Sequence, residues 1–432
     1  MTEPMGTRLK LGIAVVGLGV FLAFFANDLL SRIDFRTERW EQPYLFPLVL
    51  PVGADFREGL FYPAKILLQG KSPYLDYSSI YPPFTILLAA PFRLFTVSTA
   101  YLLQVVLLYG LNILTIWGAI KIAASARATE AGASPGATLE LPLELPLFLL
   151  ISFLILTSYG FFFSVERGNN DAYAQCAAIL GLWLMLRRPE KLWLQALAFS
   201  VAAHLKLYPA ILFLLPLWQH GRRSLLPLVV INALLLLSTG PANAVEFAEV
   251  MVRYAGQPFL WVGNHSAASF SLLVNGYLIP HVGLQLPTLV FYLLPAALWL
   301  LGAFTLWRKG FSPGGAVWLF ILSVPMMSVI PSTSHDYKLV LIGAPVAMVF
   351  SRLIFDYATL DERVRLLQIG AVMVLMLFLT RSYTMLPPLL GNKYPFLLAL
   401  ELVFVWTILV PRVRTPPVNG PRGAVTLAGH DA

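Results

Sequence analysis

The chemistry in this chain gathers on a few polar stretches set among long apolar runs. Asp55 stands in Ala54-Asp55-Phe56-Arg57, on a segment that ends in Tyr81-Pro82-Pro83-Phe84. Four further constellations follow: Glu166-Arg167-Gly168-Asn169-Asn170-Asp171, His204 with Lys206 and Tyr208, Asn264-His265-Ser266, and Ser334-His335-Asp336-Tyr337-Lys338. Polar and ionisable residues at membrane depth are costly and are functional candidates by default. A carboxylate on the first external loop of a many-span protein is what an enzyme needs to act on a lipid-carried donor at the membrane surface. A simple pore or anchor has no such need.

Each of these residues also has a plainer reading. Asp55 is a good N-cap for a helix starting beside it, and Glu58, three residues on, fits a capping box. His204 reads as a satisfied residue at an apolar helix end. Lys206 has a stem long enough to snorkel to the interface. His265 and His335 are compatible with ordinary loop positions, and Asp336 with Lys338 as a simple pair. Glu401, alone in the last apolar run, has no partner visible in the sequence.

The surrounding elements must be membrane helices. Of 432 residues, 58% are hydrophobic and 12% charged, with mean hydropathy +0.74. A soluble domain carries about 25% charged residues. A helix needs roughly 20 apolar residues to cross a ~30 Å core, and backbone groups in lipid must be satisfied within the helix. The runs are too uniformly apolar for the alternation of a β-barrel. The expectation is an all-α integral membrane bundle of about twelve spans: 11–27, 99–121, 146–163, 171–187, 192–206, 208–219, 224–240, 285–307, 312–330, 337–354, 366–380 and 395–411. Pro209 predicts a break at Leu207-Tyr208-Pro209, because proline removes a donor and clashes with the preceding turn. The first run follows Arg8 and Lys10 and reads as an uncleaved span.

Residues 1–411 read as one polytopic domain, and 412–432, with Pro416-Pro417 and Gly420-Pro421, as a disordered cytoplasmic tail. The Ala/Gly/Ser/Pro/Glu-rich stretch 121–145 reads as a flexible cytoplasmic loop. Two long external loops are expected, 28–98 and 241–284. Their apolar pieces at 44–52, 60–68, 84–95 and 269–280 are too short or too broken to span, and predict interfacial helices. An amphipathic helix is expected at 57–69. Lys and Arg of short loops mark the cytoplasmic side. With the N-terminus inside, seventeen fall in the cytoplasm and six outside, apart from the long first loop. Both termini are therefore expected inside and all five polar constellations outside. The net charge of +8 is mostly this topology signal; no basic, aromatic-interleaved face of the kind that binds nucleic acid is present. The one cysteine, Cys176, excludes a disulfide framework.

The chain resembles the membrane-embedded GT-C glycosyltransferases, and most closely glycosyltransferase family 87, which includes a mannosyltransferase that uses polyprenyl-phosphate mannose. The resemblance rests on four pieces in order: Asp55-Phe56 followed by Gly70-Lys71-Ser72-Pro73-Tyr74; Tyr81-Pro82-Pro83-Phe84 with Pro91; Arg167-Gly168-Asn169-Asn170-Asp171; and His204-Leu205-Lys206-Leu207-Tyr208-Pro209. It implies transfer of a hexose, mannose in the family, from a polyprenyl-monophosphate sugar to a lipid or glycan acceptor hydroxyl outside the cytoplasm. The family's catalytic aspartate lies on the first external loop, where Asp55 matches it. A carboxylate there serves as general base. The leaving lipid phosphate needs cationic donors, for which Arg167, Lys206, His265, His335 and Lys338 are the candidates. Asn169, Asp171, Tyr81 and Tyr208 are candidate substrate contacts. No cofactor or metal is expected, since Arg57 stands where an Asp-x-Asp pair would have its second carboxylate. The family and the absence of targeting signals imply a prokaryotic plasma membrane. A transporter or flippase of lipid-linked sugars is the competing reading. It requires polar residues running through the bilayer midplane, whereas here they cluster at one side. A non-catalytic scaffold and an unrelated lipid-phosphate enzyme are the remaining alternatives.

Overall fold

The computed structural model describes residues 53–77, 79–130, 144–255, 257, 260, 263–355, 360–378 and 388–410. The expected span at 11–27, the apolar piece at 44–52 and the tail 412–432 lie outside the described residues, as does part of each long loop. Among the described residues every regular element is helical, and the one β-type pairing is an isolated bridge between Asn264 and His335.

Apolar surface points outward as well as inward. Leu289, Leu293, Leu300, Phe304 and Trp307 all lie exposed along the helix Thr288–Arg308. Contiguous exposed apolar surface of this kind belongs against lipid or a partner. Two helices are each long and apolar enough to cross a bilayer, Val97–Thr129 and Thr288–Arg308. Two bent pairs qualify when taken together: Phe148–Leu156 with Tyr159–Arg167, bent by 62°, and Tyr208–Leu236 with Pro241–Tyr254, bent by 95°. By length and composition the described residues thus hold two to four crossings, where the sequence reads twelve. Among the described residues, the other expected spans form shorter or more polar helices. Asp171–Arg187 and Pro313–Val329, for example, have 17 residues each.

The centre of the bundle is Pro313–Val329, buried along nearly its whole length, with Gly343–Phe355 and the long Val97–Glu130 helix packed beside it. That long helix corrects the first part of the loop expected at 121–145, over residues 121–130, while 131–143 lie outside the described residues. Ile122 through Ala126 continue it, and alanine, arginine and glutamate are strong helix formers. The predicted break after Leu205 is present. The helix Leu192–Leu205 stops, Lys206 is extended (φ −150°, ψ 135°), and a 3-10 turn, Tyr208–Phe213, starts with Pro209 in its first turn. The 84–95 piece is helical as Pro83–Ala89 with a 3-10 turn Ala90–Leu94, and the 269–280 piece lies in Ala267–Val282. The helix expected at 57–69 starts earlier, as Ala54–Phe56, passes through a π turn, Arg57–Phe61, and ends as Tyr62–Leu68. Glu401 is fully buried in Tyr394–Leu409, with neither oxygen hydrogen-bonded among the described residues.

Candidate active site

Two glycines bring Asp55 to its partners. Gly53 takes a left-handed conformation (φ 69°), open to glycine without a steric cost, and its N–H donates to the Glu166 carbonyl at 2.6 Å. Gly168 (φ 66°) ends the helix Tyr159–Arg167, which Ser158 caps at its start. A Cβ on Gly168 would lie 2.6 Å from Cβ of Phe56, so the Asp55 segment and this turn touch backbone to side chain. The Tyr101 hydroxyl donates to the Val165 and Glu166 carbonyls, at 3.0 and 3.2 Å. Gln104 donates to the Gly168 carbonyl at 3.1 Å and accepts from Tyr173 at 2.7 Å. The turn is therefore braced from the Val97–Glu130 helix.

Held this way, Asp55 accepts from Nη2 of Arg167 on Oδ1 and from Nδ2 of Asn169 on Oδ2, the latter at 2.9 Å. The Asp55 and Arg167 side chains are only 16% and 14% exposed, so the pair is shielded yet reachable. The Asp55 carboxylate thus offsets the Arg167 charge in a shielded setting. The capping reading of Asp55 fails: Gly53 is the N-cap, with no side-chain cap, and the carboxylate faces the Arg167 turn. Glu58 makes no capping box either. It pairs with Arg57 and accepts from the Tyr77 hydroxyl.

A second cluster lies beside the first. Asp171 opens the helix Asp171–Arg187, where the helix dipole favours a negative charge, and is fully buried. Its Oδ1 accepts from the Tyr208 hydroxyl, and its Oδ2 is 4.0 Å from Nζ of Lys206. Lys206 donates to the Tyr81 hydroxyl at 3.4 Å and sits 4.5 Å from that ring's centroid. Burial, then the negative charges of Asp55 and Asp171, push the Tyr81 phenol well above its ordinary range, which keeps it a hydrogen-bond donor. Lys338 does not pair with Asp336. Its Nζ donates to the Thr333 carbonyl at 2.7 Å and lies over the Tyr208 ring at 5.0 Å. Asn170 and Thr85 donate to the Leu205 and His204 carbonyls, at 3.0 and 2.6 Å, which fixes the chain leading into Lys206. Nε2 of His204 pairs with Oδ1 of Asn232 at 3.1 Å, while its buried Nδ1 has no hydrogen-bond partner among the described residues.

These groups border a cleft of about 570 Å³ lined by Asp55, Glu58, Gly59, Tyr77, Ser79, Ile80, Tyr81, Arg167, Tyr254, Thr333, His335 and Tyr337. The structure therefore brings Asp55, Arg167, Tyr81 and His335 into one wall. Asn169 stands behind Asp55, and Lys206, Asp171, Tyr208 and Lys338 stand beyond Tyr81. His265 is not among the lining residues: it is fully buried and faces Asp336 at 3.3 Å. Burial lowers the His335 pKa to about 3, so at neutral pH it is an uncharged imidazole that offers hydrogen bonds rather than a cation. Sequence reasoning missed Tyr77, Tyr254, Thr333 and Tyr337. Tyr337 sat inside a motif already singled out, but Tyr254, whose hydroxyl is 3.1 Å from Oγ1 of Thr333, carried no signal. Among the described residues no three His, Cys, Asp or Glu side chains gather as a metal-ligand set.

The model of glycosyltransferase family 87 matches residues 80–332, more than half of the chain. The chain belongs to glycosyltransferase family 87. It is an enzyme that transfers sugar from a donor to an acceptor, and the transporter and scaffold readings fall away. The matched stretch of this glycosyltransferase contains Arg167, Asn169, Asp171, Lys206, Tyr208 and His265, while Asp55 precedes it and His335 and Lys338 follow it. No curated protein matches the chain in sequence.

Proposed function

We propose that this glycosyltransferase moves a hexose, mannose by family resemblance, from a polyprenyl-monophosphate sugar to a lipid or glycan acceptor, with Asp55 as general base. The observation that carries this reading is the placement of Asp55. It is a shielded carboxylate on the wall of a cleft, oriented through both oxygens by Arg167 and Asn169. In the step proposed, the acceptor O–H bond breaks and its proton passes to Asp55. The acceptor oxygen bonds to the anomeric carbon. The bond from that carbon to the phosphate oxygen breaks, and the lipid phosphate leaves with the electron pair. A developing phosphate charge needs preorganised donors. Lys206 is the first of these, because its nearest carboxylate oxygen is a loose 4.0 Å away and it stands beside the cleft residue Tyr81. Lys338 lies deeper in the same direction, and Arg167 serves from the cleft wall. His335, uncharged, suits a sugar hydroxyl or a phosphate oxygen as a neutral hydrogen-bond partner.

The reaction is placed outside the cytoplasm, in a plasma membrane, with both termini inside. The charge bias between short loops supports this side. We read the shorter apolar helices as crossings too, giving about twelve spans, with the polyprenyl tail lying between them. The test of donor class is transfer in membranes supplied with radiolabelled polyprenyl-phosphate mannose, polyprenyl-phosphate glucose or GDP-mannose. Label should move from a lipid donor and not from GDP-mannose. Direct transfer from the nucleotide sugar, in membranes stripped of polyprenyl phosphate, overturns the proposed donor.

A further inference from the structure

We propose that His265 and Asp336 are positioning residues that lock His335 onto the wall of the cleft, a role that rests on the glycosyl-transfer reading above. Two loops far apart in sequence meet at the isolated bridge between Asn264 and His335. Only two backbone bonds define it: the His265 N–H donates to the Ser334 carbonyl at 2.8 Å, and the Asp336 N–H to the Gly263 carbonyl at 3.0 Å. In extended chain, successive side chains point to opposite faces. His335 therefore faces one way, into the cleft with Asp55, while His265 and Asp336 face the other way, into the protein.

So short a pairing is poorly fixed in register by its backbone alone, and a slip of one residue turns each side chain to the other face. A slip here would carry His335 out of the cleft and bring Ser334 or Asp336 in. The His265–Asp336 contact prevents it. Both side chains are fully buried, and Nδ1 of His265 meets Oδ1 of Asp336 at 3.3 Å. Burial keeps the imidazole neutral, so the proton on Nδ1 is donated to the carboxylate. Breaking the register would forfeit this buried hydrogen bond, a cost that resists the slip. Asn264 reinforces the arrangement from the bridge itself. It accepts from the Ser334 N–H at 2.7 Å and donates to the Ser332 carbonyl at 3.2 Å. The second long loop thus contributes no direct contact through His265. It sets the direction of a histidine that stands in the other loop.

The test compares His265→Phe, which keeps a ring but removes the donor, with His265→Asn, whose amide can donate from the Nδ1 position. The first readout is activity-independent: the rate at which diethyl pyrocarbonate modifies His335 in the full-length protein, followed by mass spectrometry. His265→Phe should change that rate at least about fivefold, and His265→Asn should leave it within about twofold of wild type. The second is transfer from polyprenyl-phosphate mannose. His265→Phe should lose at least about tenfold while His265→Asn stays within about threefold, and this gap should collapse in a His335→Ala background, because coupled residues are not additive. If His265→Phe fails to fold, Asp336→Leu, which keeps the shape but removes the acceptor, takes its place with the same expectations. An unchanged His335 modification rate, or a gap that survives in the His335→Ala background, overturns the proposal. A wrong donor silences only the second readout, so the modification rate still decides.

Discussion

Replacing Gly168 by alanine strains the turn that carries Arg167 and Asn169, and the structure sets the size of the effect. Gly168 has φ 66°, a conformation that costs a residue with a Cβ about 1–2 kcal/mol. The new Cβ would stand 2.6 Å from Cβ of Phe56 and 3.2 Å from Cε2 of Tyr101. Carbon atoms pack at about 3.5–4.0 Å, so the Asp55 segment must back away by about 1 Å. Overpacking of this kind costs about 1–3 kcal/mol. The sum is about 2–5 kcal/mol, below the 5–15 kcal/mol typical of a folded domain, so the variant should still fold. The same shift stretches the 2.9 Å bond from Asn169 to Asp55 beyond hydrogen-bond range. A displacement of about 1 Å at a reacting group costs on the order of 100-fold in rate. Transfer of label in membranes at matched expression, together with thermal unfolding in detergent, reads both effects. Gly110→Ala is the control: Gly110 lies within the Val97–Glu130 helix with nothing within 4 Å of a built Cβ, and should be neutral or slightly stabilising. A Gly168→Ala enzyme within threefold of wild type, melting as wild type does, refutes the reasoning.

Lys206→Ala should raise the KM for lipid donor about ten- to a hundredfold, the worth of a charge-assisted contact of about 1.5–3 kcal/mol. Unchanged donor titration would make Lys206 a structural partner of Asp171. His265 and His335 are both held below the usual histidine pKa of about 6.5 by burial, His335 down to about 3. The unfolded chain therefore binds protons that the folded one refuses, and stability should fall as pH drops below about 6.5, by at most about 1.4 kcal/mol per pH unit for each histidine. Melting in detergent between pH 7.5 and 5 should show a shallower decline for His335→Gln than for wild type; equal slopes remove His335 from the account. Topology is tested by single cysteines in a Cys176→Ala background: a cysteine at position 76 should label from outside and one at 223 should not, and the reverse pattern would put the site in the cytoplasm.

The proline at 209 made the break after Leu205 legible, because its chemistry acts locally. The convergence of the Arg167, Lys206 and Asp55 motifs was legible from their order and loop placement. The exact partners were not. Asp55 looked like an N-cap because its type and its spacing to Glu58 fit one. Its real orientation depends on the positive φ of Gly53 and on the close approach of Gly168 to Phe56, which involve residues over a hundred positions apart. His265 looked like a phosphate ligand until its Asp336 contact, 71 residues away in sequence, turned it inward. The extension of the long helix to Glu130 was missed because glycine and proline farther on coloured the whole stretch, although most of its first ten residues (alanine, lysine, arginine and glutamate) are good helix formers. Span length was less legible for a related reason: apolar composition persists through breaks, bends and 3-10 turns, so fewer single helices among the described residues reach a bilayer's length than the sequence has apolar runs.

Asp55→Asn tests the central claim most directly. Asparagine keeps the size and one acceptor oxygen of the side chain but cannot take up the acceptor's proton, and general-base assistance is worth about 10²–10⁴-fold. In membranes with radiolabelled polyprenyl-phosphate mannose, Asp55→Asn should bind donor near normally while transfer falls at least about a hundredfold. Glu58→Gln, altered at the mouth of the same cleft, should do far less. An Asp55→Asn enzyme that keeps most of its transfer activity would contradict the account and leave Asp55 a structural partner of Arg167 and Asn169.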